Sequence, residues 1–193
     1  MKIVGKALVM GDNVNTDELH PSRFFSLDDR TVRSGFLQAA AGYEQVGGGD
    51  LAGRVIVAGE NFGCGSSRET GARAFLLAGI RAVVARSLAR IFSRNVRNLG
   101  LPAVECPSLP ALAPDVELEL DLVRGCLWVP AERPGGKDPD DQRAREALAL
   151  PLVPLDPFWT AVLHAGGLLP FLGLAEPAGS VPPRSLPVVR GGP

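Results

Sequence analysis

The chain has 193 residues, with 20 basic and 21 acidic side chains and a formal net charge of −1. This length suits one domain with a hydrophobic core, and the balanced charge argues against a basic surface for nucleic acid. No apolar run is long enough to span a membrane, and residues 1–6 lack the apolar core of a signal peptide. We therefore expect a cytoplasmic protein that binds neither nucleic acid nor membrane.

The three cysteines, Cys64, Cys106 and Cys126, are an odd number at wide spacings. They form neither a disulfide framework nor a compact run of cluster ligands such as C-x-x-C. We therefore expect thiols in a reducing compartment and no metal bound by this chain.

Apolar patterns along the chain predict an α/β domain. The predicted strands are residues 2–10, 54–58, 80–85, 101–105, 116–122 and 126–129. The predicted helices are a short one around 36–40, one at 73–79, one from an N-cap at Ser87 to about Leu99, and one that Asp156 caps with Pro157 at its first position. His20 lies in a loop without clean periodicity, and we expect it to be a polar loop residue.

A glycine-containing turn follows the strand at 54–58. Gly63 and Gly65 permit positive φ and close backbone approach. Ser66 and Glu69 have the spacing of a capping box, which predicts Ser66 at the N-cap and Glu69 at N3 of the next helix. The free N–H groups of a first helical turn favour an anion. A plain capping box with glycines for the turn is the alternative, since the pattern is neither a Walker loop nor G-x-G-x-x-G.

Residues 61–69, Asn-Phe-Gly-Cys-Gly-Ser-Ser-Arg-Glu, resemble the active-site motif of the small subunit of 3-isopropylmalate dehydratase. That family is similar to the swivelling C-terminal domain of aconitase. Residues 11–17, 85–95 and 98–102 extend the resemblance in the family's order. The resemblance implies an α/β, aconitase swivel-like domain, with a mixed sheet or small barrel flanked by helices.

The resemblance covers most of residues 1–174, which we expect to form a single domain. Residues 175–193 carry several prolines and glycines and few residues that could pack. We expect them to form a disordered tail.

The chemistry of the family is hydro-lyase chemistry, in which a hydroxyl moves between adjacent carbons of a 2-hydroxy diacid by dehydration and rehydration. The resemblance implies that Ser66 is the base, acting as an alkoxide, and that Ser67 and Arg68 bind a substrate carboxylate. Thr16 and Asp17 lie near the serine in the family, so we assign both to substrate binding. An alkoxide needs N–H donors and a positive charge around the oxygen, which a helix N-terminus and Arg68 would supply.

The family resemblance also implies a partner. A large subunit would hold a [4Fe–4S] cluster and complete a heterodimer that takes a small dicarboxylate. The chain departs from the family at Thr70-Gly71, where relatives usually have His-Ala. This departure leaves open a stand-alone anion-binding module that kept the fold and lost the chemistry.

Substrate choice is expected to lie in a loop that contains Phe24, Phe25, Ser26 and Leu27. Relatives that act on isopropylmalate tend to present aliphatic residues there, and relatives that act on homoaconitate can present an arginine. Ser26 is neither, whereas the other three residues favour an apolar substrate tail. We therefore expect 3-isopropylmalate, a substrate of leucine biosynthesis, with homoaconitate or a related diacid as the alternative.

Overall fold

The computed structural model describes residues 1–38, 51–65, 68–130 and 147–176. The strands are β1 (Lys2–Val9), β2 (Val55–Ala58), β3 (Ala82–Ala85), β4 (Ala103–Glu105), β5 (Glu117–Asp121), β6 (Cys126–Pro130) and β7 (Ala147–Pro151). The helices are α1 (Thr16–Leu19), α2 (Asp29–Ser34), α3 (Glu69–Leu77), α4 (Arg90–Asn98), α5 (Pro157–Ala165) and α6 (Leu168–Phe171), with a 3₁₀ turn at Ser22–Phe24. No helix in these ranges has the length and apolar character needed to cross a membrane.

The seven strands form one mixed sheet in the order β4-β3-β2-β1-β5-β6-β7. β1 is the junction, because it pairs in parallel with β2, with Ala7 opposite Val55, and antiparallel with β5. β2, β3 and β4 are parallel neighbours, whereas β5, β6 and β7 are antiparallel neighbours. The sheet curls so far that the N–H of Val153, just after β7, donates to the carbonyl of Glu105 in β4 at 2.8 Å. The predicted α/β domain, with a mixed sheet flanked by helices, is confirmed.

Hydrophobic cores lie on both faces of this sheet. Every residue of β2 and β3 is buried, because the helices cover one face and the curled antiparallel strands cover the other. The first core joins Ile56 and Val83 to Phe75 of α3. The second core joins Val57 to Leu120 of β5. Neighbouring strand residues therefore serve opposite cores, as the pleat of a strand requires.

Phe62 fixes the turn after β2 onto the helical layer. Its side chain is fully buried, with ring centroids 5.3 Å from Phe92 of α4 and 6.3 Å from Phe75 of α3. Burying a phenylalanine side chain stabilises the folded chain by about 1.5–3 kcal/mol. The turn is therefore held by packing on both helices that follow it.

Helix α3 begins before the predicted range of 73–79 but after the start that an N-cap at Ser66 would give. Arg68 is the N-cap, its backbone is extended at φ −72° and ψ 133°, and its side chain makes no capping hydrogen bond. Glu69 is the first helical residue. The predicted capping box, with Ser66 at the N-cap and Glu69 at N3, is therefore wrong, because an extended Arg68 cannot belong to a first helical turn.

Helix α4 also begins later than predicted, at Arg90. Ser87 does not cap it, because its Oγ accepts the N–H of Asn61 at 2.8 Å and donates to the carboxylate of Glu60 at 2.5 Å. Ser87 therefore ties the turn after β3 to the turn after β2.

Two other regions differ from the predicted elements. Helix α2 ends at Ser34 and Leu37 has a φ of 63°, so the described part of the helix predicted around 36–40 is not helical. Strand β7 was not predicted. The predicted tail lies outside the described residues from position 177 onward, whereas α5 has the predicted Asp156 cap and Pro157 at its start.

Candidate active site

The turn after β2 lies beside the turn after β1, at the carboxyl ends of two neighbouring parallel strands. The N–H of Gly63 donates to the carbonyl of Val14 at 2.9 Å, and the N–H of Thr16 donates to the carbonyl of Cys64 at 2.8 Å. Ligands of open α/β sheets bind at such strand ends, where loops from different strands meet. The predicted motif therefore lies where the fold can form a binding site.

Two glycines of the motif are required by geometry. Gly63 has a φ of 85°, and a Cβ there would lie 2.3 Å from Phe92 Cγ. Gly65 has a φ of 105°, and a Cβ there would lie 2.0 Å from the Asn15 Oδ1. The positive φ and the close approach predicted for both glycines are confirmed.

Ser66 and Ser67 lie outside the described residues. Gly65 and Arg68, which flank them, are described, so the two serines connect the glycine turn to the start of α3. Thr70 and Gly71, which replace the family's usual His-Ala, lie in the first turn of α3. The helix therefore forms despite the low helix propensity of Gly71.

Arg68, Asp17 and Phe25 come together from three different elements. The Arg68 Cζ lies 4.2 Å from the centroid of the Phe25 ring, and its Nη2 donates to the Asp17 Oδ1 at 3.1 Å. Asn15 fixes Asp17, because its Oδ1 accepts the Asp17 N–H at 2.8 Å as the cap of α1. The guanidinium is half-exposed, so its fork lies at the surface, in a rim formed by Arg68, Asp17 and Phe25.

Thr16 lies away from the rim. It is buried, and its N–H and its Oγ1 both donate to the carbonyl of Cys64, at 2.8 and 3.3 Å. The two predicted residues, Thr16 and Asp17, therefore make contacts in different places in the structure. Thr16 holds the backbone of the motif, and Asp17 points to Arg68.

The loop predicted to select the substrate has an inner and an outer part. Phe24 packs inward against Gly35, where an added Cβ would lie 2.4 Å from the Phe24 Cβ. The ring of Phe25 packs against the Arg68 guanidinium. Ser26 stabilises the turn, because its Oγ accepts the Asp28 N–H at 3.0 Å. Leu27 is 94% exposed, which is unusual for a leucine in a folded domain.

His20 lies in the predicted loop, directly after α1, and its side chain is buried. It is 1% exposed and its ring stacks on Phe25 at 5.5 Å and 18°. Its Nε2 donates to the Val32 carbonyl at 2.9 Å, so Nδ1 carries the lone pair and has no partner among the described residues. Burial lowers the pKa of His20. The sequence around His20 has no apolar periodicity, so no pattern indicated that its side chain is buried.

Two clefts in the described part of the chain lie away from these residues. One, of about 540 Å³, is formed by α4 and the segment before α5, with Arg94 and Trp159 in its walls. The other, of about 590 Å³, lies against β6 and α5. Neither is lined by Asp17, Phe25 or Arg68. The side chains of Arg68 and Asp17 are about half-exposed, so this rim is open to solvent on this chain.

The chain's cysteines do not fit a metal cluster. Cys64 lies in the turn after β2, with its Sγ donating to the Asn13 carbonyl at 3.3 Å. Cys106 is buried after β4, and Cys126 lies on β6. The described residues contain no group of three histidine, cysteine or carboxylate side chains placed to hold a metal ion.

Comparisons with known proteins agree on one family. The model of the aconitase C-terminal domain family matches residues 8–108. The chain is 39% identical over 171 residues to the 3-isopropylmalate dehydratase small subunit 1 of Methanopyrus kandleri, covering 86% of this chain and 90% of that protein. It is 35% identical over 183 residues to the 2,3-dimethylmalate dehydratase small subunit of Eubacterium barkeri, covering 91% and 99% of the two chains.

A solved structure gives the same result. The crystal structure of 3-isopropylmalate dehydratase from Methanocaldococcus jannaschii aligns with a TM-score of 0.71 and 30% sequence identity. The alignment covers 90% of this chain and 94% of that chain. The family match at residues 8–108 contains β2, β3, β4 and the turns that form the candidate site.

Proposed function

Since the chain belongs to the aconitase C-terminal domain family and, within it, to the small subunits of 3-isopropylmalate dehydratase, we propose that it acts with a large subunit on 3-isopropylmalate. The family that residues 61–69 predicted is thereby confirmed, and the chain is a hydro-lyase subunit. The proposal concerns the residues that do the chemistry, the substrate and what the partner supplies.

The position of Arg68 carries this proposal. It directly follows Ser67, its guanidinium lies over Phe25, and Asp17 accepts one of its N–H groups at 3.1 Å. A guanidinium has five N–H donors in a planar fork, so Asp17 and Phe25 can fix its plane while it binds a carboxylate. We assign Arg68 and Ser67 to the substrate carboxylate and Asp17 to the orientation of the fork. Thr16 supports the site through the backbone of the motif.

Ser66 is assigned as the base that removes the carbon-bound proton. Loss of that proton and of the hydroxyl on the adjacent carbon forms an alkene, and water then adds in the opposite orientation. A serine hydroxyl is too weakly acidic to serve unless donors and positive charge stabilise its alkoxide. Arg68 brings a positive charge two residues away, and α3 begins at Glu69 with no capping side chain from Arg68. For Ser66 to serve as the base, the first N–H groups of α3 must face its oxygen.

The partner is assigned two tasks. We place the [4Fe–4S] cluster, which supplies Lewis-acid chemistry, on the large subunit, because the three cysteines of this chain lie on separate elements. The large subunit also covers the open rim at Arg68, because catalysis of this kind proceeds best in a site closed to water. Such a complex would act in the cytoplasm.

The substrate assignment rests on the apolar loop beside Arg68. Phe25 and the exposed Leu27 can bury an isopropyl group, which removes apolar area from water. Homoaconitate carries a third carboxylate, and Arg23, which lies 4.8 Å from the centroid of the Phe24 ring, is the cation of this loop that could meet it. We favour isopropylmalate because we expect burial of its isopropyl group against Phe25 and Leu27 to contribute more to binding than a contact of Arg23 with a third carboxylate.

The test is reconstitution with the large subunit encoded in the same genome. Both chains are co-purified without oxygen, and formation of the alkene is followed by absorbance with 3-isopropylmalate, homoaconitate and 2,3-dimethylmalate. We expect a stable complex with the highest kcat/KM on 3-isopropylmalate. A stable complex that prefers another diacid would overturn the substrate assignment, and the absence of any complex would favour a stand-alone anion-binding module.

A further inference from the structure

The substrate-selecting loop is tied to α3 at a second point, which the motif does not include. Arg73 lies one helical turn after Glu69, on the helix that begins beside the catalytic serine. Its Nη2 donates to the Leu27 carbonyl at 2.8 Å, and its Nε donates to the Asp29 Oδ1 at 3.0 Å. Arg73 is thus bonded to a backbone group of the loop and to the carboxylate of Asp29, the first residue of α2.

The other end of the loop is held by Arg68. Its guanidinium lies over Phe25, which also stacks on the buried His20. Arg68, the residue just before α3, and Arg73, within α3, therefore hold the segment from Phe25 to Asp29. Leu27 is held only through its backbone carbonyl, and its side chain lies in solvent.

This arrangement couples the loop to the site. If the loop moved relative to α3, the Arg73 bonds would break and Phe25 would leave the Arg68 guanidinium. The planar fork of Arg73 suits two acceptors at once, whereas the ammonium of a lysine is a single point of charge.

We propose that Arg73 is a positioning residue for substrate selection. It fixes the loop so that Phe25 supports Arg68 and Leu27 meets the alkyl branch of the diacid. This inference rests on the proposed function. The ordinary alternative is a surface ion pair that contributes little to stability and nothing to selectivity.

The test uses the complex with the large subunit and 3-alkylmalates whose branch shrinks from isopropyl to methyl. The variants are Arg73→Ala and Arg73→Lys. Arg54→Ala is the matched control, because Arg54 likewise joins a carboxylate, Asp115 at 2.5 Å, and a backbone carbonyl, that of Ala7 at 3.4 Å, away from the site.

We expect Arg73→Ala to raise KM for 3-isopropylmalate and to reduce the preference for isopropyl over methyl on the order of tenfold. Such a loss equals the selectivity of about one of the two methylenes by which these branches differ. We expect kcat to change less than about twofold if the interaction is equal in ground and transition states. Arg73→Lys should retain part of the preference, and Arg54→Ala all of it.

A second set of variants covers the case in which Arg73→Ala folds poorly. Asp29→Asn keeps the Leu27 bond and should reduce the preference less than Arg73→Ala, and the double variant should show less than the sum of both effects. The inference alone fails if the wild-type complex is active and Arg73→Ala changes kcat/KM equally for all substrates or matches Arg54→Ala. If the wild-type complex turns over no diacid, the proposed function fails and this inference fails with it.

Discussion

The parallel and antiparallel halves of the sheet share β1 but serve different purposes. On one side of β1, strands β2 and β3 are buried on both faces, and their carboxyl ends lie at the same edge. On the other side, β5, β6 and β7 alternate in direction, so successive turns lie at opposite edges. Only the parallel half can therefore collect the turns after several strands in one place, and that place holds Arg68 and Asp17.

The turns of the parallel half also stabilise one another. Phe62 donates from its N–H to the Ser87 carbonyl at 3.1 Å, and its carbonyl accepts the Ala89 N–H at 2.8 Å. The turn after β1 is hydrogen-bonded to the turn after β2, because the Thr16 N–H donates to the Cys64 carbonyl. The antiparallel half therefore contributes only to the hydrophobic core, whereas the parallel half contributes to the hydrophobic core and to the candidate site. Substitutions in the two halves should separate stability from activity.

The largest effect is expected at Ser66. Removing the base with Ser66→Ala should lower kcat of the assembled complex by about 10²–10⁴-fold, the usual contribution of a positioned acid or base. Thermal unfolding should be unchanged. Ser108→Ala, at an exposed position after β4, is the control and should keep full activity. Activity that survives Ser66→Ala would show that another group is the base.

The antiparallel half should give the opposite result. Leu120 of β5 is 0% exposed in the second core, so Leu120→Ala should lower the free energy of unfolding by about 2–5 kcal/mol. Chemical denaturation measures this loss. At a temperature where the variant remains folded, kcat per folded complex should equal that of the wild type. A parallel loss of kcat would contradict the separation of the two halves.

Arg68→Lys tests the geometry of the site rather than its charge. The ammonium cannot form a bidentate pair, so kcat/KM should fall about 10–100-fold, which corresponds to the 1.5–3 kcal/mol of a hydrogen bond to a charged group. The stability change should stay below about 1 kcal/mol, because the Arg68–Asp17 pair is half-exposed. Steady-state kinetics and thermal melts on the same samples measure both values.

His20 should make the stability of the site region depend on pH. Its pKa is lowered by burial, so below the ordinary histidine value of 6.5 the unfolded chain binds more protons than the folded chain. Stability is therefore fully present above that pH and falls as the pH drops towards the lower folded pKa. His20→Phe keeps a ring beside Phe25 and removes the titration. Its unfolding free energy should be less steep than that of the wild type between pH 6.5 and 5, where denaturant midpoints measure it.

Local patterns were enough to predict most strands and the motif. Alternation predicted β5, apolar runs predicted β2 and β3, and the spacing of Gly63 and Gly65 predicted the tight turn. Each of these signals lies within a few neighbouring residues. The order of the strands lies in pairings between distant segments, and no local pattern contains it.

The misplaced elements were decided by tertiary contacts. The start of α3 was misplaced because Arg68 is extended and held by Asp17 and Phe25 instead of by a side-chain cap. β7 was missed because its Ala-Leu-Ala-Leu-Pro sequence has no β-branched residue, and it forms by pairing with β6. The contacts of Arg73 and the burial of His20 likewise appear only once α2 and α3 are packed together.

We propose that the turns of the parallel half form the substrate site on this chain. Hydrogen–deuterium exchange of the assembled complex, with and without saturating 3-isopropylmalate, tests it most directly. We predict that substrate slows exchange in peptides covering residues 11–19 and 59–68 and leaves residues 117–130 unchanged. Protection confined to residues 117–130, with none in the two turns, would contradict the account.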